Sequence, residues 1–245
     1  MPATALVSGG ARRIGAAIAR QLHQSGYNLV LHYHHSLTEA EQLANELNLQ
    51  RADSVNLICA DLVSEREVLQ LCDEIQQQVA HLDLLVNNAS VFQPAGLDEI
   101  TSQHWQQTIN TNLLAPLLLT RHLAPALTNA AGSVVNIVDI HADRPLKNYP
   151  VYSISKAGLA GLTRSLALEL APTVRVNGVS PGAILWPEHD SEMNEIEKAS
   201  MLAGIPLERL GQPEDIAQAV VWLAQAKYVT GQVIAVDGGR NLVQG

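Results

Sequence analysis

The order of apolar segments constrains the fold of this chain more than any other feature. Short runs of β-branched or aliphatic residues alternate with longer helical segments along almost the whole sequence. This alternation is typical of a parallel sheet built from βαβ units, and runs that are apolar at every position indicate helices on both sides. We therefore predict an α/β protein with a single Rossmann-type, doubly wound parallel sheet of about seven strands and helices on both faces.

The element boundaries follow from turn and capping residues. Thr38 with Glu41, and Ser64 with Glu67, have capping-box spacing, and Pro213 suits the first turn of a helix ending at Ala224. Because no repeat or linker interrupts the pattern, residues 1–245 are predicted to form one domain. The predicted strands are Thr4–Ser8, Asn28–Tyr33, Val55–Cys59, Leu82–Asn87, Ser133–Val138, Val174–Val179 and Gln232–Val236.

Composition narrows the class of partner. The net charge is −9, and no block of basic residues is present, which argues against a nucleic-acid or anionic-membrane surface. Cys59 and Cys72 are far apart and lack a CxxC companion, so we expect buried thiols in a reducing compartment. The N-terminus has no basic region followed by a long apolar stretch. A cytoplasmic protein is the simplest interpretation.

Residues 183–208 form a long, less regular segment with five acids between Glu188 and Glu197. The segment is either a solvated surface helix or a mobile lid inserted over a substrate, since long excursions after a strand often build sites. Trp186 then either contacts the substrate or anchors the lid.

The sequence SGGARRIG, from Ser8 to Gly15, follows the first predicted strand and precedes a helix. Gly9 and Gly15 permit a tight turn and the close approach of a pyrophosphate to the helix N-terminus, although glycine pairs also shape ordinary turns. Arg13 stands where many dinucleotide folds have glycine, so its side chain is expected to project towards the phosphates. The order of strand, glycine loop and helix favours a dinucleotide site.

The second predicted strand ends in HYHHS, and the first carboxylate after it is Glu39. NAD-specific Rossmann proteins instead carry an acid about 20 residues beyond the glycine loop, where it binds the ribose hydroxyls. We therefore predict NADPH as the cofactor. The residues predicted to surround its 2′-phosphate are Arg12, His34, His35 and Ser36.

Two further polar positions near these strands have competing interpretations. His32 and His34 share one face of a strand, which is compatible with a metal site, but no cysteine or acid completes the ligand set nearby. We predict no metal. Asp61, after the third strand, is either an adenine contact or a turn residue.

The fourth predicted strand leads into NNAS and then Phe92, the only phenylalanine of the chain. Asparagines at a strand end either hold a turn or border a ligand. A lone aromatic residue is often part of the core, but the carboxyl end of a strand faces the ligand crevice of such folds. Both interpretations of Phe92 stay open.

Tyr152 and Lys156 lie one turn apart on the same face of a predicted helix. An ammonium group stabilises a nearby phenolate, so Lys156 is expected to lower the pKa of Tyr152 and allow proton exchange near neutrality, whereas ionised Asp139 is expected to oppose Lys156 by raising this pKa. Asp139 follows the fifth strand. It is either a proton-transfer group or a cap for the backbone near Tyr152.

This ordered set of motifs resembles the short-chain dehydrogenase/reductases over nearly the whole chain. It comprises SGGARRIG, NNAS, NTNLLAP around Asn112, Tyr152 with Lys156, SPG at 180–182 and VDGG at 236–239. The resemblance implies that Asn112 helps to hold a water-linked proton relay to Lys156, and that the protein is a homotetramer. The Leu-rich segment after Asn112 is apolar around much of its circumference, which independently suits a helix at an interface.

A narrower resemblance to the pteridine reductases rests on Arg13 in the glycine loop, HYHHS, NNAS followed by Phe92, and Asp139 where such enzymes usually have serine. It implies that Phe92 stacks a pterin against the nicotinamide, and that Arg13 and Ser90 bind the polar edge of the pterin or a cofactor phosphate. It also implies that Asp139 and Tyr152 deliver the proton.

One position departs from this pattern, because the family has arginine where this chain has His35. A neutral imidazole holds a 2′-phosphate less firmly than a guanidinium does. The implied cofactor-binding residues are Ser8, Gly9, Arg12, Arg13, Ile14, Gly15, Tyr33, His34, His35, Ser36, Asp61, Leu62, Asn88, Ala89, Ser90, Lys156, Pro181 and Gly182. The implied substrate-binding residues are Arg13, Ser90, Phe92, Asp139, Tyr152 and Trp186, and the implied catalytic residues are Asp139, Tyr152, Lys156 and Asn112.

The carboxylate of Asp139 indicates which class of substrate the protein reduces. An ionised carboxylate cannot donate a hydrogen bond to a ketone oxygen, whereas a pterin presents ring N–H groups and requires protonation at nitrogen. We therefore predict NADPH-dependent reduction of 7,8-dihydropterins, such as dihydromonapterin or dihydrobiopterin, or of dihydrofolate. The alternatives are a carbonyl or 3-oxoacyl carrier-protein reductase of the same fold, and a non-catalytic NADP(H)-sensing protein.

Overall fold

The computed structural model describes residues 2–186 and 194–243. Seven parallel strands form one sheet in the order β3-β2-β1-β4-β5-β6-β7, with helices on both faces. The predicted α/β fold class is therefore confirmed. The strands are β1 Thr4–Val7, β2 Asn28–Tyr33, β3 Val55–Cys59, β4 Leu84–Asn87, β5 Ser133–Ile137, β6 Arg175–Pro181 and β7 Val233–Val236.

The helices divide into two layers with the sheet between them. One apolar cluster joins the sheet to α1, α2 and α8, and a second joins it to α3, α5 and α6. The helices are α1 Arg13–Gln24, α2 Leu37–Gln50, α3 Glu65–Gln78, α4 Ser102–Ile109, α5 Ala115–Asn129, α6 Pro150–Glu169, α7 Glu195–Ala203 and α8 Pro213–Gln225. Shorter turns lie at Leu97–Glu99, Ile140–Ala142 and Arg240–Leu242 (3-10), and at Asn110–Leu114 (π).

Local sequence explains several helix starts, with two corrections. Ser64 caps α3 by accepting a hydrogen bond from the backbone N–H of Glu67 at 3.3 Å, but the predicted capping box is only half formed, because the Glu67 carboxylate accepts the backbone N–H of Asp61 at 2.8 Å. The prediction of a capping box at Thr38 and Glu41 is wrong, because α2 begins at Leu37 and its N-cap residue is Ser36. Pro213 occupies the first turn of α8, as predicted.

The cysteine prediction was half correct. Cys72 is buried in α3, and burial raises the pKa of its thiol to about 12. Cys59 is exposed, because it lies at the carboxyl end of β3, the edge strand of the sheet. Both cysteines are free thiols.

The connections after the strands create the site. Sequence order reverses between β1 and β4, so the loops after these two strands diverge and leave a crevice at the carboxyl edge of the sheet. Within the predicted 183–208 segment, α7 is described, whereas residues 187–193, with Glu188, lie outside the described residues. None of the helices in the described ranges combines the length and apolar character needed to cross a membrane.

Candidate active site

The glycine loop is fastened to the two neighbouring strands. Ser8 Oγ accepts hydrogen bonds from the backbone N–H groups of Asn88 and Ala89 at 3.0 and 3.1 Å, which ties the loop after β1 to the end of β4. Gly15 packs so closely on the loop that a Cβ atom would lie 2.1 Å from the carbonyl oxygen of Gly9. Any larger residue at position 15 would therefore push α1 away from the loop.

Arg13 has a backbone conformation that favours glycine. Its φ angle is +51°, in the left-handed region, although arginine carries a Cβ atom. Such a conformation costs about 1–2 kcal/mol for an ordinary residue. The side chain is exposed at the start of α1 and borders the crevice. A strained arginine where glycine would be relaxed indicates a role for the guanidinium.

A cleft of about 990 Å³ opens between the glycine loop, the end of β2 and the loop after β4. The first turn of α1 faces it, and Arg12, the N-cap residue of α1, makes no side-chain capping hydrogen bond. Backbone N–H groups at such a helix start favour a phosphate. The predicted cofactor residues in its wall are Gly9, Arg12, Arg13, Ile14, Gly15, His34, His35, Asp61, Leu62, Asn88, Ala89 and Ser90.

Six predicted cofactor residues do not line this cleft. Ser8 holds the loop from beneath, Tyr33 and Ser36 are half-buried beside it, and Lys156 lies under Tyr152. Pro181 and Gly182 end β6, farther along the carboxyl edge of the sheet.

His32 has a structural role that excludes the metal interpretation. It is buried, its Nδ1 accepts the backbone N–H of Gly9 at 3.1 Å, and its Nε2 donates to the carbonyl of Ala60 at 3.0 Å. Burial lowers the pKa of His32 to about 4, which keeps the ring neutral. Within residues 2–186 and 194–243, no group of three potential ligands is arranged for a metal ion.

Polar side chains near the end of β2 form two pairs. Arg12 Nε lies 3.6 Å from Glu39 Oε1, so this carboxylate competes with any phosphate for Arg12. Asp61 Oδ1 lies 3.8 Å from His34 Nδ1 and also accepts the backbone N–H of Val63 at 2.9 Å. Asp61 therefore holds a turn and borders the cleft at once.

Asp139 binds both the catalytic-motif tyrosine and the backbone. Its Oδ2 accepts a hydrogen bond from the Tyr152 hydroxyl at 2.8 Å, and its Oδ1 accepts the backbone N–H of His141 at 2.8 Å. The capping alternative left open by the sequence is therefore present, and the contact with Tyr152 leaves the proton-transfer alternative as a prediction.

The electrostatics of Tyr152 differ from the expectation. Burial, and then the charge and hydrogen bond of Asp139, raise the pKa of Tyr152 well above its usual value. Lys156 Nζ donates instead to the carbonyl of Ile137 at 2.8 Å and lies 5.7 Å from the centre of the Tyr152 ring. Burial lowers the pKa of Lys156 to about 8, with Asp139 opposing that shift. The predicted effect of Asp139 on the Tyr152 pKa is confirmed, whereas the net lowering expected from Lys156 is wrong, because burial acts in the same direction as Asp139.

Asn112 is held by a π-turn between α4 and α5. Its buried amide accepts from and donates to the backbone of Val91, at 2.8 and 3.0 Å, and donates to Ser155 Oγ at 3.0 Å. Ser155 in turn donates to the carbonyl of Tyr152 at 2.6 Å. Asn112 thus links the loop carrying Phe92 to the helix carrying Tyr152 and Lys156. Sequence reasoning missed the π-turn and the linking role of Ser155.

An aromatic wall flanks Tyr152. The Phe92 ring stacks on Tyr149, with centroids 4.4 Å apart and planes 14° apart, and meets Tyr152 edge-on at 4.7 Å. Phe92 is 49% exposed, so the core interpretation is wrong. Tyr149, directly before α6, was missed; its spacing of three residues from Tyr152 was the available signal. Trp186 lies apart from this group, with Lys198 Nζ 5.8 Å from its ring centre.

Comparison with known proteins agrees with this geometry. A family model described as enoyl-(acyl carrier protein) reductase matches residues 9–241. A 3-oxoacyl-[acyl-carrier-protein] reductase, FabG, of Staphylococcus aureus is 37% identical over 98% of this chain and 98% of its own length. Pteridine reductase 1 of Leishmania tarentolae is 34% identical over 98% of this chain and 96% of its own.

A third relative, an uncharacterized oxidoreductase of Methylorubrum extorquens, is 35% identical over 96% of both chains. These matches span the glycine loop, the aromatic wall and the Tyr152–Lys156 helix. Together with the seven-stranded sheet, they establish that this chain is an oxidoreductase of the short-chain dehydrogenase/reductase superfamily.

Proposed function

We propose that this protein is an NADPH-dependent reductase of 7,8-dihydropterins, which it converts to tetrahydropterins. The observation that carries the proposal is the hydrogen bond from Tyr152 to the carboxylate of Asp139. A carboxylate in this place repels the negative charge that develops on a ketone oxygen during reduction. It accepts the N–H groups of a pterin readily.

Protonation at a ring nitrogen is the step that these residues support. NADPH, when bound, would supply the hydride for the carbon of a ring C=N bond. Tyr152, whose raised pKa keeps it protonated at neutral pH, donates its proton to the nitrogen of that bond. The ammonium of Lys156 below the ring then stabilises the phenolate left behind. In this proposal Asn112 and Ser155 hold the helix and the substrate loop in register and help to order a water relay that returns a proton to Tyr152.

The cleft beside the glycine loop fits a dinucleotide. Its wall offers the first turn of α1 for the pyrophosphate, and exposed Arg12, His34 and His35 near the end of β2 for the 2′-phosphate. In the same proposal, Asp61 contacts the adenine and Asn88 to Ser90 border the nicotinamide riboside. No acid precedes Glu39 after β2, which favours NADPH over NADH.

Phe92 supplies the platform for the pterin. Its ring is half exposed and meets Tyr152 edge-on, and its parallel contact with Tyr149 supports the proposal that it stacks on flat aromatic groups. Stacking and edge contacts of this kind contribute about 0.5–1.5 kcal/mol beyond area burial. Arg13 and Ser90, both exposed at the cleft, would bind the polar edge of the pterin.

The second candidate is reduction of a 3-oxoacyl carrier-protein substrate, which the 37% identity to FabG favours. The two candidates separate in one experiment that follows NADPH oxidation with dihydropterins, dihydrofolate, quinonoid dihydropterin, acetoacetyl thioesters and simple ketones. We expect turnover of the dihydropterins. Strong ketone or thioester turnover without pterin turnover would replace the proposal with the second candidate.

We also propose a homotetramer. Large apolar side chains on α4 and α6 are exposed in the single chain, including Trp105, Ile154 and Leu168, at 44%, 51% and 82%. Burying them against another copy would remove an apolar surface from water. Light scattering of the purified protein tests the assembly, and a monomeric mass would contradict it.

A further inference from the structure

A second cavity, of about 650 Å³, lies beside the proposed active site. Three parts of the chain enclose it: the residues that follow Asp139, helix α7, and the C-terminal turn Arg240–Leu242. Its apolar wall includes Ile140, Ile196 and Met201. The cavity therefore begins at the backbone next to the carboxylate that binds Tyr152.

The charged groups that the described residues contribute to the wall of this cavity are the cations Arg144 and Arg240. Arg144 Nη1 donates to the carbonyl of Arg240 at 2.8 Å and to that of Val243, which fixes the C-terminal turn against the 140–145 loop. Arg240 is half-buried, and within the described residues its guanidinium makes no hydrogen bond or ion pair. No aspartate or glutamate of the described ranges lines the wall. In a chain of net charge −9, this is a local reversal of sign.

The nearest acid in sequence does not neutralise Arg240. Both carboxylate oxygens of Asp237 accept backbone N–H groups, from Gly239 at 2.9 Å and from Asn241 at 2.7 Å. These bonds shape the turn that presents the Arg240 side chain. His141, on the opposite wall, donates from Nδ1 to the carbonyl of Arg144 at 2.9 Å and adds no negative charge.

We propose that this cavity is a subsite for an anionic side chain of the substrate, and that Arg240 is its principal anion-binding residue. The inference rests on the proposed function, because Asp139 would hold the pterin ring at the mouth of the cavity. The matching ligand is a dihydropterin whose side chain crosses an apolar wall and ends in a carboxylate or a phosphate. A neutral polyol side chain would gain nothing from Arg240.

The test compares three substrates in the parent and in Arg240→Gln: a dihydropterin with a neutral polyol side chain, dihydrofolate, and a dihydropterin phosphate ester. Arg66→Gln, an exposed position on α3, is the control for loss of one positive charge. Loss of the contact between a partly exposed arginine and an anionic group of the substrate raises KM by about three- to tenfold. We expect that rise in Arg240→Gln for one or both anionic substrates, with kcat and the KM of the neutral substrate unchanged. The substrate that responds identifies carboxylate or phosphate as the natural group.

A binding measurement separates this inference from the proposed function. Titration calorimetry with p-aminobenzoyl-glutamate and with glycerol phosphate, in the absence of any pterin, should give heat with the parent and with Arg66→Gln, and none with Arg240→Gln. Such binding without pterin turnover would overturn the proposed function and leave the subsite standing. Equal KM changes for neutral and anionic substrates, or unchanged binding of both fragments in Arg240→Gln, would overturn the subsite.

Discussion

The carboxylate of Asp139 joins Tyr152 to the backbone, since one oxygen accepts the tyrosine hydroxyl and the other accepts the N–H of His141, both at 2.8 Å. The capping contact holds the 3-10 turn that follows β5. The tyrosine contact places a negative charge beside the Tyr152 hydroxyl. Because asparagine and serine are both good cap residues, substitution can remove the charge and keep the turn.

Asp139→Asn is expected to fold and bind NADPH as the parent does, but to reduce dihydropterin about 10²–10⁴-fold more slowly, the scale of losing an acid–base participant. Asp139→Ser should lose the same activity and gain at least trace reduction of an activated ketone. Steady-state kinetics with both substrate types measure this, and circular dichroism checks the fold. Parent-like pterin turnover in both variants would leave Asp139 with the capping role alone.

The pH dependence of the residual activity should also change in Asp139→Asn. The charge of Asp139 raises the pKa of Tyr152 and that of Lys156, which burial lowers to about 8. Removing the carboxylate therefore lowers both pKa values. Since the reaction needs protonated Tyr152 and charged Lys156, the basic limb of the pH–rate profile should move to lower pH. A basic limb that stays in place or moves upward contradicts this coupling.

Phe92→Ala should raise the KM for dihydropterin several-fold to about tenfold, because stacking contributes on the order of 1 kcal/mol. NADPH binding and the melting temperature should change little, since the side chain is 49% exposed. Phe92→Leu is the matched control, because it retains apolar bulk without an aromatic face. If leucine restores the parent KM, apolar contact rather than stacking is responsible.

Cofactor preference should respond to two changes at the end of β2. His35→Arg adds a guanidinium that can bind a phosphate in bidentate fashion, so the ratio of NADPH to NADH affinity should widen. Glu39→Gln removes a carboxylate that competes for Arg12 and should act in the same direction. Glu46→Gln breaks the remote pair with Arg20 and serves as control. Fluorescence titration gives both affinities, and equal NADH binding by the parent contradicts NADPH preference.

Arg13→Gly should stabilise the protein while weakening its ligands. Glycine adopts the +51° φ angle freely, so the variant should gain roughly 0.5–1 kcal/mol in free energy of unfolding. Losing the guanidinium should raise the KM for dihydropterin or the Kd for NADPH. Arg13→Asn tolerates the same conformation and isolates the charge effect. A gain in stability without any loss of binding would reduce Arg13 to a loop residue.

The sequence predicted the sheet well because each strand carries its own apolar signal; the observed strand ends differ from the predicted ones by no more than two residues. The spacing of the motifs also predicted that Asp139, Tyr152 and Lys156 belong to one site. It predicted that Asp139 raises the pKa of Tyr152 but not the net direction of the shift, because the largest cause is burial, which depends on packing in three dimensions. Nor did it yield the stack of Phe92 on Tyr149, since that contact joins two loops whose relative placement no local pattern specifies.

The π-turn at Asn110–Leu114 makes the position of Asn112 depend on the number of residues between α4 and α5. A π-turn contains about one residue more than a turn of α-helix. Each residue of an α-helix advances the chain by about 100° around the helix axis. Deleting one residue there would give a regular helix and rotate either Asn112 or the apolar face of α5 out of place. Homologues with a one-residue gap at this position would thus need a different means of linking the substrate loop to the tyrosine helix.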